Sequence, residues 1–187
     1  KKIIMYIDGE PGKKELLLNG LSHGVAGIAY SLAVLFSYFN EDVFLERIQM
    51  LLTWEKRSYN ADHKMWERHC SEPGQNHAAD ELDTTFERRF PNGWCHGATG
   101  IGLAKLAMKV LLNTAEYDSD IRIAADATVA LEAKKGSVDG CLCHGSFGRI
   151  AILQRYEKIF PGSALSAQIK DLSSLSIRRR ERKLDAT

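Results

Sequence analysis

The sequence lacks the long apolar runs, the excess of one charge and the export signal that mark several classes of protein. Its longest apolar stretches are interrupted by charged residues or asparagine well before the roughly 18 residues that a membrane-spanning helix needs. The formal net charge is +1, which provides no overall attraction to nucleic acid. Residues 1–6 include lysines but neither an apolar core nor a small-residue cleavage site, so they do not resemble a signal peptide. We therefore expect a cytoplasmic protein with no membrane span and no nucleic-acid partner.

Cysteine is also scarce, and the placement of the cysteines argues against disulfides. The chain has four, at positions 70, 95, 141 and 143. Without an export signal, an even number of cysteines is weak evidence for disulfide bonds. Cys95 and Cys143 each directly precede a histidine, and residues 141–144 read Cys-x-Cys-His. This arrangement favours reduced thiols that bind a metal.

One short phrase, His-Gly-x-x-Gly, occurs three times, at residues 23–27, 96–100 and 144–148. Each copy begins an apolar run, and a cysteine precedes the histidine in the second and third copies. The glycine after each histidine permits a sharp turn, so that a ligand can lie at the mouth of the following helix. The repeat predicts a helical scaffold with thiolate and imidazole groups at its junctions.

Between and after these phrases, apolar residues recur at the spacing of α-helices. The predicted helices cover residues 24–39, 97–112 and 117–135, and another starts near residue 42. The third phrase opens a helix that runs to Phe160, and Ser163 can cap the next one. Helices that follow a phrase are rich in small residues and therefore narrow, whereas their partners are bulkier. Residues 58–93 form a long polar loop by composition, and no βαβ pattern is present. The predicted fold class is all-α, a series of helical hairpins with glycine-rich turns that stack or close into a toroid with the narrow helices inside.

The sharpest chemical signal is the set Cys95, Cys143 and His144. Two thiolates and one imidazole suit Zn²⁺, and three protein ligands leave a fourth position for water or substrate. The alternative is that these are core cysteines beside helix-start glycines. For a single Cys-His pair that alternative would be preferred, but two pairs in matching repeat positions favour a metal site.

The neighbouring residues have less definite roles. Cys141 is interpreted as a buried or spare thiol rather than a fourth ligand, and His96 as a structural residue or a support for the ligands. His23 belongs to the one phrase without a cysteine. It is either a hydrogen-bonded structural histidine or, by its equivalence to the ligand-bearing turns, a proton donor or acceptor facing the same cavity.

Three segments, 21–32, 93–103 and 143–148, resemble the lanthionine synthetase C-like family, in particular the cyclase domain of class II (bifunctional) lanthipeptide synthetases. The string Trp-Cys-His-Gly at 94–97 is similar to that of the bifunctional enzymes. The resemblance covers residues 15–160. We interpret residues 1–187 as a partial cyclase domain, with an atypical C-terminal tail over 161–187.

The resemblance implies an α,α-toroid of inner and outer helices, Zn²⁺ held by Cys95, Cys143 and His144, and His23 as the catalytic histidine. It also implies an enzyme that closes thioether rings during lanthipeptide and bacteriocin biosynthesis. The cysteine thiolate of a ribosomal precursor peptide adds to dehydroalanine or dehydrobutyrine, giving lanthionine or methyllanthionine. The alternative is a truncated relative, a non-catalytic zinc-stabilised module that binds a peptide or thiol.

The sequence departs from the family pattern in several places. Pro91 stands where single-domain relatives have an arginine, and a basic tail at 178–183 follows where a last glycine-rich repeat is expected. The upstream repeats that supply an active-site aspartate, and the upstream dehydratase domain, are absent from this sequence. We therefore expect a fragment, and the sequence leaves open whether it folds or is active alone.

Overall fold

The fold is built from helical hairpins with two very small antiparallel sheets beside them. The computed structural model describes residues 17–70, 85–135 and 140–184. Its helices are α1 (Val25–Phe39), α2 (Asp42–Arg57), α3 (Phe86–Arg89), α4 (Ala98–Leu112), α5 (Asp118–Lys135), α6 (Ser146–Ile159) and α7 (Ser166–Leu184). Its strands are β1 (Leu17–Leu18), β2 (Tyr59–Asn60), β3 (Met65–Trp66) and β4 (His69–Cys70). The predicted all-α architecture of helical hairpins is confirmed.

The first two narrow helices, α1 and α4, begin and end in the same way. Each has 15 residues and starts directly after the first glycine of its phrase. Each ends at an asparagine in the left-handed conformation, Asn40 at φ 54° and Asn113 at φ 48°. The amides of these asparagines donate to the carbonyls of Phe36 and Lys109, which satisfies the last turn of each helix. The repeat seen in the sequence is therefore a repeat of local structure.

The helices that follow the phrases pack together, and their partners cover them. Helix α1 contacts α4, and α4 contacts α6, while α2, α5 and α7 lie against α1, α4 and α6 respectively. Helix α4 is buried on nearly all sides, which its small residues Gly100, Gly102 and Ala104 allow. A Cβ at Gly102 would lie 2.7 Å from the Cβ of Ala124, so α4 and α5 approach closely there. The layering places the starts of the narrow helices at one end of the assembly.

A buried ion network joins three helices in the core. The Lys105 Nζ atom on α4 lies 2.5 Å from Glu55 Oε1 on α2 and 2.5 Å from Asp120 Oδ2 on α5. The same ammonium lies 5.8 Å from the ring centroid of Trp66. Because Glu55 is fully buried, losing its cation would leave an unpaired charge in the core.

The polar region 58–93 and the tail 161–187 contain more regular structure than composition alone indicates. Strand β1 pairs with β4 and β2 pairs with β3, both antiparallel. Most of the tail is helix α7, whose Ile169 is buried in the main core. Among the residues that the structure describes, no helix combines the length and apolar character needed to cross a membrane.

Candidate metal centre

The three repeated turns have a common shape that explains the spacing of their glycines. In each, a Cβ on the second glycine would overlap the carbonyl oxygen of the residue six positions earlier. The pairs are Gly27 with Leu21, Gly100 with Trp94 and Gly148 with Leu142. The chain thus curls back onto the first turn of its own helix, and only glycine leaves room for the crossing. The His and Cys side chains are held at the mouths of the helices as a result.

Adjacent turns are also joined to one another. The amide of Ser22 in the first turn donates to the carbonyl of Cys95 at 3.3 Å, and the amide of Trp94 donates to the carbonyl of Cys143 at 2.8 Å. Gly20 lies against the Cys95 carbonyl, as Gly93 lies against that of Cys143. The turns therefore form one continuous structure, which brings ligands from distant parts of the sequence together.

The sulfur and nitrogen atoms of Cys95, Cys143 and His144 converge on one point. The Nε2 atom of His144 lies 3.1 Å from Cys95 Sγ and 3.7 Å from Cys143 Sγ. All three ligand atoms lie within 4.8 Å of one another. In tetrahedral zinc coordination, bond lengths of about 2.3 Å to sulfur and 2.0 Å to nitrogen put ligand atoms about 3.5 to 3.8 Å apart. The donor set therefore suits a zinc ion, and both sulfur–nitrogen distances lie within about 0.4 Å of the tetrahedral value of about 3.5 Å.

The two thiols differ in their surroundings. Cys95 is 1% exposed, whereas Cys143 is partly exposed. Burial raises the pKa of the Cys95 thiol to about 11, and the adjacent Cys143 thiol adds to the effect. Without a cation Cys95 is thus protonated at neutral pH. A divalent cation would supply the positive charge that stabilises its thiolate.

His23 and His96 form a second group with Cys95. Their ring centroids are 4.6 Å apart with an interplanar angle of 19°, and ligand atoms of His23, Cys95 and His96 lie within 4.8 Å of one another. His96 Nδ1 is 3.4 Å from the carbonyl oxygen of Asn19, which can only accept, so Nδ1 carries a proton. Burial lowers the pKa of His96, which favours the neutral ring. His23 is exposed and stacks on a neutral, anchored partner.

Of the two remaining cysteines, the structure shows the surroundings of Cys141. Cys141 is exposed, and its Sγ accepts the backbone N–H of His144 at 3.3 Å. The sequence left two interpretations, a buried thiol or a spare one, and the exposure of Cys141 contradicts the first. Cys95, Cys141 and Cys143 remain thiols rather than disulfides. The side chain of Cys70 lies outside the described residues.

Two residues that the sequence analysis passed over complete this region. Asn19 is fully buried and supplies the carbonyl that anchors His96. Arg149 on α6 donates to the carbonyl of His144. Neither residue belongs to a sequence motif typical of metal sites, so their contacts are apparent only from the three-dimensional structure. By contrast, a glycine stands three residues before the histidine in two of the phrases, at Gly20 and Gly93, and this repeated feature could have been recognised in the sequence.

Comparisons with known proteins agree with this architecture. The sequence profile of the family described as lanthionine synthetase C-like protein matches residues 6–184. The chain belongs to this family. The fold is similar to that of the solved structure of nisin cyclase, with a TM-score of 0.64 and 22% sequence identity. That match covers 89% of this chain and 41% of nisin cyclase. No curated protein sequence matches the chain.

The likeness to nisin cyclase supports the prediction of a partial α,α-toroid, which is thereby confirmed. The chain spans about two-fifths of the length of that solved protein. The helices α1, α4 and α6 contact one another in sequence, and the turns with the candidate ligands precede them.

Proposed function

We propose that this chain is the zinc-binding part of a cyclase that forms thioether rings in a lanthipeptide precursor. The observation that carries the proposal is the convergence of Cys95, Cys143 and His144 in a chain that belongs to the lanthionine synthetase C-like family. The substrate would be a ribosomal peptide that already contains dehydroalanine or dehydrobutyrine and still carries cysteine thiols. The dehydration reaction belongs to another domain or protein.

The proposed site contains two kinds of residue: three that would hold the metal, and one that would transfer protons. Cys95, Cys143 and His144 would hold zinc, and the fourth position would accept the substrate sulfur. A bound zinc ion lowers the pKa of a coordinated thiol, which allows a substrate cysteine to react as a thiolate near neutral pH. The half-buried and exposed members of the set, Cys143 and His144, leave one side of the site accessible to a peptide.

His23 would serve as the acid or base of the addition. The substrate sulfur bonds to the β-carbon of the dehydrated residue, the carbon–carbon double bond breaks, and its electron pair becomes an enolate that takes a proton at the α-carbon. The net reaction neither gains nor loses a proton. An imidazole can take the thiol proton and return it to carbon, and His23 is both exposed and adjacent to Cys95. Stacking on His96 restricts the orientation of its ring.

Zinc content tests the metal site directly. The purified chain is expected to contain about one zinc per molecule by elemental analysis, and the double variant Cys95→Ala, Cys143→Ala to contain none. Glu55→Gln is the control, because its side chain pairs with Lys105 and contacts none of the three turns. Equal zinc content in the double variant and the wild type would overturn the proposal.

A peptide assay tests the reaction. A dehydrated peptide with one cysteine is incubated with the zinc-loaded chain, and the remaining thiols are alkylated and counted by mass spectrometry. Loss of alkylatable thiol at unchanged peptide mass indicates ring closure. His23→Asn should retain zinc and slow closure by about 100-fold or more. Zinc binding with fully alkylatable peptide thiols would instead favour the non-catalytic peptide- or thiol-binding module.

A further inference from the structure

A buried ion pair contacts the third turn, residues 141–148, which carries two of the proposed zinc ligands. Arg149 on α6 and Glu132 on α5 are 6% and 2% exposed, and Arg149 Nε donates to Glu132 Oε2 at 2.8 Å. The hydroxyl of Ser146 donates to the other oxygen of Glu132. The carboxylate is therefore held by two donors from the first turns of α6. This fixes the guanidinium in one orientation.

The same guanidinium reaches the ligand turn. A second nitrogen of Arg149, Nη1, donates to the backbone carbonyl of His144 at 2.5 Å. The opposite side of His144 is also held, because its backbone N–H donates to Cys141 Sγ at 3.3 Å. Both backbone polar groups of a proposed zinc ligand are thus bonded to side chains. Arginine is suited to this bridge because its planar group carries several donors in a fixed arrangement.

We propose that Glu132 and Arg149 are positioning residues for the metal centre, which set the orientation of His144 before a metal binds. The inference rests on the zinc site proposed above and adds residues that do not touch the metal. The side chain of His144 is exposed, so its orientation depends on how its backbone is held. The bond from Arg149 transmits the rigidity of the α5–α6 contact to the ligand. Outer partners of metal ligands commonly change metal affinity 10- to 100-fold when they are removed.

The core offers a matched control. Glu55 and Lys105 also form a buried ion pair between two helices, at 2.5 Å, and Lys105 further contacts Asp120 and the ring of Trp66. None of these contacts involves a ligand turn. Loss of the Glu55 charge should therefore lower thermal stability without altering the geometry of the metal site.

The test compares Arg149→Met, Arg149→Lys and Glu132→Gln with Glu55→Gln. Zinc dissociation constants are measured by competition with a chromophoric chelator at a temperature where each variant is folded by circular dichroism. We expect zinc affinity to fall about 10- to 100-fold in Arg149→Met. A smaller loss is expected in Glu132→Gln and partial recovery in Arg149→Lys, which keeps one donor. Glu55→Gln should stay within about twofold of the wild type although its midpoint temperature falls.

Cobalt substitution provides a second readout that general destabilisation would not change. The visible absorption of Co²⁺ bound to thiolates reports the ligand geometry. It should shift or weaken in Arg149→Met and match the wild type in Glu55→Gln. Wild-type zinc affinity and an unchanged cobalt spectrum in both Arg149→Met and Glu132→Gln would overturn the positioning role. Failure of the wild type itself to bind zinc would instead refute the proposed metal site, so the two failures are distinguishable.

Discussion

The turn at Cys95 and the turn at Cys143–His144 share the same phrase but are held in different ways. The Cys95 turn is buried, and Asn92 ties it down: its Oδ1 accepts the amide of Thr99 at 2.9 Å, and its Nδ2 donates to the carbonyl of Ala127 at 3.1 Å. In the Cys143 turn, Gly140 occupies the place of Asn92. Leu142 there is 70% exposed, and the backbone of His144 depends on side-chain partners.

The two turns would therefore contribute differently to the proposed zinc site. The second turn presents a buried sulfur and is held by Asn92 and by backbone contacts. The third turn carries the two more accessible members of the proposed site, and its backbone is held by Arg149 and Cys141. In the proposed zinc site, the third turn would therefore form the accessible side.

The largest difference between the two turns is expected at the glycines that follow their histidines, Gly97 and Gly145. Gly97 has φ 78° and ψ −160°, a region open essentially to glycine alone, and a Cβ there would overlap the carbonyl of Pro91. Gly145 has φ −96°, which other residues adopt. Gly97→Ala should lower the free energy of unfolding by about 3 kcal/mol or more, and Gly145→Ala by about 1 kcal/mol or less. Urea titration of both variants checks this, and equal losses would contradict it.

The second largest difference is expected in the rates at which the thiols of Cys141 and Cys95 react with iodoacetamide. Raising the pKa of Cys95 from 9.0 to about 11 reduces its thiolate fraction at neutral pH about 100-fold, and burial slows access further. In the zinc-free chain at pH 7, Cys141 should therefore be alkylated at least about 100 times faster than Cys95. Peptide mapping by mass spectrometry separates the two sites. Comparable rates would show that the second turn is open without metal.

Loss of Asn92 should weaken the second turn by a smaller amount. Asn92→Ala leaves the Thr99 amide and the Ala127 carbonyl without their side-chain partner, and we expect a loss of about 2 kcal/mol in unfolding free energy. If Asn92→Ala unfolded at the wild-type urea concentration, the rigidity of this turn would have another source.

The smallest expected effect is local, on removal of zinc. Amide exchange in residues 141–148 should accelerate about tenfold when a chelator removes the metal, whereas residues 93–100 should change much less. Hydrogen-exchange mass spectrometry measures both segments in one sample. Equal acceleration would mean that the metal, rather than Asn92 and the buried backbone contacts, holds the second turn as well.

Much of the fold could be read from the sequence because its signals are local. The predicted helix over 97–112 corresponds to Ala98–Leu112, and that over 117–135 to Asp118–Lys135. Helical periodicity and glycine-rich turns depend on neighbours a few residues apart. The strand pairs were not predicted, because two-residue strands have no periodicity. A helix capped by Ser163 was predicted, but a basic tail gives little sign of the packing of Ile169.

The candidate ligands were also named from their types and repeat positions, and zinc binding by Cys95, Cys143 and His144, like the catalytic role of His23, stays a prediction. Their mutual proximity required the tertiary structure, since Cys95 and His144 are 49 residues apart. The bond between His96 and Asn19 spans 77 residues, and the stack of His23 on His96 spans a similar length of chain. Such partners cannot be identified from spacing.

The repeating hairpins, the turns that begin the narrow helices and the residue types available to bind a metal follow from the amino-acid sequence alone. The burial of Cys95 beside Cys143, the bond from the His144 backbone to Cys141, and the contact of the Glu132–Arg149 pair with that turn follow from the packing of distant segments. The two kinds of feature differ in the range of the interactions that set them. Helix and turn formation depend on local backbone preferences. Burial and the choice among polar partners depend on how distant segments pack.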